Sequence, residues 1–216
     1  MSRLALLQVC GLWRGAPIVL ASKSAGRARL LAAAGIPFEA VDSNLDERGL
    51  DGIDDLDPRA QAARLALAKA KLVSLRHPDR IVVGADQTLT FRNKTLHKAA
   101  NVDQALSQLR ELRGASHLLH SAVACVCDGV TQFEFVVSAI IHMRPVNDRV
   151  LNAYAAAMGE KLLTTVGGYE IEGLGVTLIE RVDGDMFTVI GLPLFPLLAG
   201  LRELGAIVEE SDPRCS

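Results

Sequence analysis

The chain has 216 residues, half of them hydrophobic and 22% charged, with 18 glycines and 8 prolines; this fits a packed domain and excludes disordered, collagen-like and heptad-repeat chains. A balance of 25 acids against 23 bases leaves a net charge of −2, so no global field draws the chain to nucleic acid, and an anionic ligand needs a local cluster of bases. Aromatic residues make up only 4%, which leaves aliphatic side chains and alanine to fill the core.

Residues 1–16 hold a short apolar stretch broken by Gln8, without an Ala-x-Ala cleavage site, and are expected to form an extension ahead of the fold. Ile18-Val-Leu-Ala21 predicts a short buried strand, and a helix follows over about 24–34, stopped by Gly35 and Pro37. Phe38–Val41 predicts a second strand, ahead of an acidic loop from Asp42 to Asp55. Asp57-Pro58 is a cap and first-turn signature for a long helix ending near Arg76. Ile81–Asp86 predicts another buried strand, and Thr88–His97 a hairpin around Arg92-Asn93-Lys94. Asn101 caps a helix to about Arg113, and long strands over 116–127 and 130–142 meet at the hairpin signal Asp128-Gly129. Asp148 opens a helix to Met158. A glycine-rich stretch over 167–175 precedes a strand Val176–Val182, a turn at Asp183-Gly184-Asp185, and a last helix from Pro193 to Gly205. Strands separated by helices alternate with strands joined in hairpins, which points to a mixed α/β (α+β) fold over 17–207 with a tail at 208–216.

No apolar run approaches the ~20 residues of a membrane span. Cys10, Cys125, Cys127 and Cys215 form no CxxC pair and read as reduced thiols of a cytoplasmic protein. His117 and His120, three apart in a strand-like run, fall on opposite faces and make no zinc pattern.

Chemistry concentrates where buried strands end, since α/β sheets bind ligands in the crevice outside those ends. Ile18–Ala21 delivers Ser22 and Ser24 to the start of a helix, whose free N–H groups and dipole attract anions. With Lys23 and Arg27 they form a candidate phosphate cradle, although a serine at that position is also an ordinary helix cap. Neither a Walker loop nor a Rossmann glycine fingerprint is present. Lys69 lies on the apolar stripe of its helix with Ala62, Leu65, Ala66, Leu72 and Val73, while Arg64 and Lys71 lie on the other side. A lysine on that stripe either snorkels or points at a ligand phosphate. Asp86 follows five core residues, and Glu47 in the acidic loop can join it; two carboxylates near phosphates suit Mg²⁺, and either can orient or deprotonate water.

Five segments in order carry a resemblance: Val19-Leu-Ala-Ser22-Lys-Ser24-Ala-Gly26-Arg27, Asp46-Glu47, Arg64-Leu-Ala-Leu-Ala-Lys69-Ala, Gly84-Ala-Asp86-Gln, and Gly184-Asp185 with Gly191-Leu-Pro193-Leu. Together they resemble the Maf family of nucleoside triphosphate pyrophosphatases, also described as septum-formation inhibitors, from about Ile18 to Ile207. The resemblance implies a fold like that of the inosine-triphosphate pyrophosphatases, an elongated mixed sheet with flanking helices forming two lobes around a cleft, often as a homodimer. It implies hydrolysis of a nucleoside triphosphate to the monophosphate and diphosphate with Mg²⁺ or Mn²⁺. It places Asp86, Lys69, Arg27 and Glu47 in catalysis, Ser22, Ser24, Lys98 and Glu172 on the substrate, and Asp86 with Glu47 on the metal. Nucleic acid and membrane are not expected partners.

Three positions depart from the family pattern. The loop commonly reads Ser-x-Ser-Pro-Arg-Arg, whereas Ala25-Gly26-Arg27 keeps only the second arginine, and Lys23 is a candidate substitute. The Gly-Lys-Pro around the later lysine is His97-Lys98-Ala99, and Tyr-Gly-Ile-Gln-Gly is Tyr169-Glu-Ile-Glu172-Gly173. Glu172, Asp86-Gln87 and Gly175-Val-Thr-Leu-Ile-Glu180-Arg181 resemble the 7-methyl-GTP branch; a dTTP/UTP pyrophosphatase or a non-catalytic nucleotide-binding regulator of division is the alternative. A carboxylate suits a methylated, cationic purine, with Tyr169 the one aromatic expected near the base and 167–175 expected to be the mobile part of the pocket.

Overall fold

The computed structural model describes residues 11–208. Strand β1 (Ile18–Ala21) pairs in parallel with β2 (Phe38–Ala40) on one side and with β3 (Val82–Phe91) on the other. The chain then turns antiparallel: β4 (Lys94–Leu96) folds back on β3, β5 (Ser116–Cys127) pairs with β3, and β6 (Val130–Met143) and β7 (Ile179–Asp183) follow. The seven strands make one mixed sheet in the order β2-β1-β3-β5-β6-β7, with β4 beside β3.

Among the described residues six α-helices flank it: α1 (Ala25–Ala33), α2 (Pro58–Ser74), α3 (Val102–Leu112), α4 (Asp148–Met158), α5 (Met186–Ile190) and α6 (Leu194–Glu203). Their starts are set by side-chain caps. Ser24, Asp57, Asn101, Asn147 and Asp185 each accept from a backbone N–H of the following first turn, which satisfies donors that have no helical partner.

Period-two alternation divides the sheet's two faces. Val19, Ala21, Val82, Ala122, Ala124 and Val126 pack against Ala62, Ala66, Ala70 and Val73 of α2. Ile18, Leu20, Val83, Ala85 and Val123 face α1 and α6 through Leu30, Leu31, Leu194, Leu197 and Leu201. The far halves of β3, β5 and β6 carry Leu89, Leu119 and Ile141 into a third cluster with α3 and α4. The long strands thus join two lobes, one on α1, α2 and α6, the other on α3 and α4.

Helix α2 lies unusually close to the sheet. A Cβ on Gly84 would stand 2.2 Å from the Ala66 carbonyl oxygen and 2.7 Å from the Ala70 nitrogen, so only glycine admits this approach. The alanines at 62, 66 and 70 complete the fit, and the composition's shortage of aromatics is answered here by small-residue packing.

The expected separate strand and hairpin over 81–97 are one ten-residue strand, β3, running through Gln87 and turning at Arg92-Asn93 into β4. The predicted strand over 176–182 begins later: Leu174–Leu178 is a 3-10 turn, and only Ile179–Asp183 pairs with β6. A further difference lies at the front of the chain. Within the expected extension, Trp13 is 7% exposed, bridges Ile207 and packs with Ile18 and Leu20, so the segment from Leu12 onward belongs to the fold. Residues 1–10 of that extension, with Cys10, and the tail from 209, with Cys215, lie outside the described residues. Cys125 is buried and Cys127 half-buried, and both are free thiols.

Candidate active site

Ser22 follows β1 directly, and the β1–β3 register, with Ala21 opposite Gly84, brings it beside Ala85 and Asp86. Ser22 Oγ accepts from the Ser24 N–H at 3.2 Å and from Arg27 Nη1 at 3.0 Å. Ser24 is the N-cap of α1 and accepts from the Arg27 N–H at 3.4 Å. The cradle is therefore built first as a helix cap, with hydroxyls and N–H groups of the first turn at the sheet's edge.

Arg27 is buried and ties three elements together. Its Nη1 also donates to the Ala85 carbonyl at 2.7 Å, and its Nε to the Gly191 carbonyl at 2.9 Å. Burial lowers the guanidinium's pKa, while the charges of Asp86 and Glu47 oppose that shift. A buried arginine that keeps its charge beside two carboxylates is a fixed positive point in the cleft wall.

Opposite it, on the α2 face of the sheet, Lys69 Nζ reaches Asp86 Oδ1 at 2.5 Å and Glu47 Oε1 at 2.7 Å. Lys69 and Asp86 side chains are each 12% exposed, whereas Glu47 is half open to solvent on its 3-10 turn, Glu47–Gly49. The apolar stripe of α2 thus delivers a lysine to a charge partner, and Arg64 and Lys71 stay exposed on the far side. Lys98, after β4, lies within electrostatic reach of all four charged groups. The surrounding protein lowers its pKa, chiefly by desolvation and next by repulsion from Arg27.

Two carboxylates meeting at one ammonium can also meet at one metal ion. They offer hard oxygen ligands, and the described residues contain no cluster of three or more metal-binding side chains, so phosphate and water would supply the remaining ligands. The donor set fits Mg²⁺ or Mn²⁺ on those terms.

Two expectations about neighbouring residues are corrected. Lys23 does not substitute for an arginine at position 26: its Nζ pairs with Asp42 Oδ2 at 2.5 Å, away from the cap, on an exposed side chain. Tyr169 is not available to stack on a base. It is 5% exposed, its hydroxyl meets His117 Nε2 at 2.6 Å, and it packs in the α3–α4 cluster. Gly167 and Gly168 are buried with it, which anchors the first half of the 167–175 stretch; only from Glu170 does the segment rise to the surface. Glu172 lies there, with Arg29 Nη2 donating to its Oε2 at 2.7 Å.

Gln87, which the sequence marked only by its resemblance to one branch, and Ser121, which it did not mark, complete the wall. Gln87 Nε2 donates to the Thr188 and Val189 carbonyls at 3.0 and 3.1 Å, and Ser121 Oγ to Thr188 at 2.7 Å. They fix the end of α5, where Gly191, at φ 108°, offers its carbonyl to Arg27. The sequence signal for Gln87 was its place directly after Asp86; Ser121 lies in a buried run that gave none.

The Maf-like protein family model matches residues 17–204. The chain belongs to the Maf family. Among curated Maf relatives, a nucleoside triphosphate pyrophosphatase of Rhodopseudomonas palustris (strain HaA2) is 49% identical over 88% of this chain and 96% of its own length. One of the same description from Bradyrhizobium diazoefficiens is 48% identical over 89% of this chain and 96% of its own. A 7-methyl-GTP pyrophosphatase of Rhizobium johnstonii is 42% identical over 88% and 97%. In this Maf chain, all five motif segments fall within the matched span, and they supply Glu47, Lys69 and Asp86, which meet in one ion-paired cluster, and Arg27 within electrostatic reach of both carboxylates.

Proposed function

We propose that this chain hydrolyses a nucleoside triphosphate to the monophosphate and diphosphate, with 7-methyl-GTP as the preferred substrate. It is a hydrolase of phosphorus anhydrides, a nucleoside triphosphate pyrophosphatase. The observation that carries the reading is Lys69 held between Asp86 and Glu47 beside the capped start of α1, which puts charges of both signs and free N–H groups in one cleft.

Asp86 holds the attacking water and takes its proton; the water oxygen bonds to the α-phosphorus, and the α–β bridging bond breaks with its electrons on the leaving diphosphate. Arg27, Lys69 and Lys98 stabilise the negative charge that grows on the phosphate oxygens and the leaving group. Ser22, Ser24 and the first N–H groups of α1 orient the phosphates. Glu47 and Asp86 are the residues that would hold a divalent cation, which neutralises phosphate charge when bound.

Glu172 supports the choice of base, since a carboxylate attracts a cationic purine and accepts from guanine N–H groups. The name of the Rhizobium relative agrees with that choice. The test is diphosphate release from 7-methyl-GTP, GTP, UTP and dTTP with Mg²⁺ or Mn²⁺. Fastest release from 7-methyl-GTP is expected, and Glu172→Gln shifts preference toward pyrimidines. Faster release from UTP or dTTP overturns the base assignment. No release from any nucleotide by folded protein overturns the enzyme reading and leaves a binding regulator.

A further inference from the structure

The carboxylate assigned to the base is already paired. Arg29 Nη2 lies 2.7 Å from Glu172 Oε2, and both side chains are open to solvent, 54% and 32% exposed. Arg29 stands three residues after Gly26 on α1, so the two share a helix face. A Cβ on Gly26 would lie 3.7 Å from Glu172 Oε2 and 3.2 Å from Ile190 Cγ2. Glu172 therefore lies over the first turn of α1, the turn that carries the serine cap and Arg27. A cation reaches it from one turn further along the helix.

We infer that Arg29 is a specificity-determining residue, clamping Glu172 and offsetting its charge so that the base pocket takes neutral guanine as well as its cationic N7-methyl form. The inference rests on Glu172 contacting the base. Coulomb attraction is what separates the two purines at a carboxylate, because both present the same N1 and N2 donors. A guanidinium at contact distance cancels much of that attraction, yet Glu172 Oε1 and the unused lone pairs of Oε2 still accept from guanine. Without Arg29, the same carboxylate discriminates more strongly for positive charge. Hydrogen bonding to Glu172 raises the guanidinium's own pKa, so Arg29 carries its full charge beside the carboxylate.

The experiment measures kcat/KM for 7-methyl-GTP and GTP, together with Kd for 7-methyl-GDP and GDP by calorimetry, which needs no turnover. Arg29→Gln is expected to raise the methylated-to-unmethylated ratio about two- to fivefold, the range spanned by exposed ion pairs. The change falls on KM and Kd, with kcat nearly constant, and shrinks in about 0.5 M NaCl. Arg29→Lys restores most of the parent ratio, and in an E172Q background R29Q leaves the ratio unchanged. An unchanged ratio in R29Q, while E172Q still alters the substrate profile, overturns this inference alone. A substrate profile indifferent to E172Q overturns the base assignment and this inference with it.

Discussion

Lys69 shows how a single position carries both stability and chemistry. A buried-side lysine costs solvation unless it is paired, and here two carboxylates supply the pairing. Asp86→Asn keeps the shape and removes the charge, so turnover should fall at least about 100-fold while the melting temperature stays close to that of the parent; retained turnover removes Asp86 from the proposed role of base. Lys98 gives a different signature. Its lowered pKa means that its charge, and the phosphate stabilisation it supplies, is present below that pKa and fades as pH rises. The alkaline limb of kcat/KM should therefore fall below the usual lysine value of about 10.4, and Lys98→Met should remove that limb. Sequence reading found Lys69 because helical periodicity exposes a misplaced charge. It misjudged Lys23 and Tyr169 because neither Asp42 nor His117 is near in sequence, and no local pattern reports such partners.

At the scale of elements, the site depends on how α2 and α5 are seated on β3. Gly84→Ala inserts a methyl group into backbone of α2 and should cost about 3 kcal/mol, with turnover falling along with the melting temperature because Lys69 moves off Asp86. Gln87→Ala removes the side-chain donor to the Val189 carbonyl and leaves Thr188 to Ser121; a loss of about 1–3 kcal/mol in denaturant unfolding is expected, with reduced turnover through Gly191 and Arg27. Most elements were legible because caps and periodicity are local: Asp57-Pro58, Asn101 and Asp128-Gly129 each mark a boundary where the chain turns. Helix α5 was not. Five residues between Asp185 and Gly191 are too few to show a helical period, and its end is held by Gln87 on β3 and Ser121 on β5.

The whole molecule carries a pH dependence that has nothing to do with turnover. His117 is buried against Tyr169 with its Nδ1 unpartnered, and burial pushes its pKa down to about 4. In the unfolded chain the same imidazole binds a proton near pH 6.5. Between those values the unfolded state holds more protons, so the native state is fully favoured above about pH 6.5 and loses stability as pH falls toward 4, by roughly 2–3 kcal/mol. Thermal melts from pH 7 to 4 should show that decline, and His117→Gln should flatten it. A second test concerns the front of the chain: Trp13→Ala should cost about 3 kcal/mol, because the indole fills the face shared with Ile18 and Leu20.

The bridge between Trp13 and Ile207 also fixes where the ends of the fold lie. Two stretches nearly two hundred residues apart in sequence run side by side, with the Val208 N–H on the Leu12 carbonyl at 3.0 Å. A short peptide can join them, and the Asp128-Gly129 turn lies beyond the Val82 end of β3, whereas Asp86 sits in mid-strand opposite Ala122. A circular permutant joined there and opened at that turn should fold with its nucleotide turnover intact. The order in which the polypeptide visits its strands would then be shown to matter less than the neighbours each strand acquires.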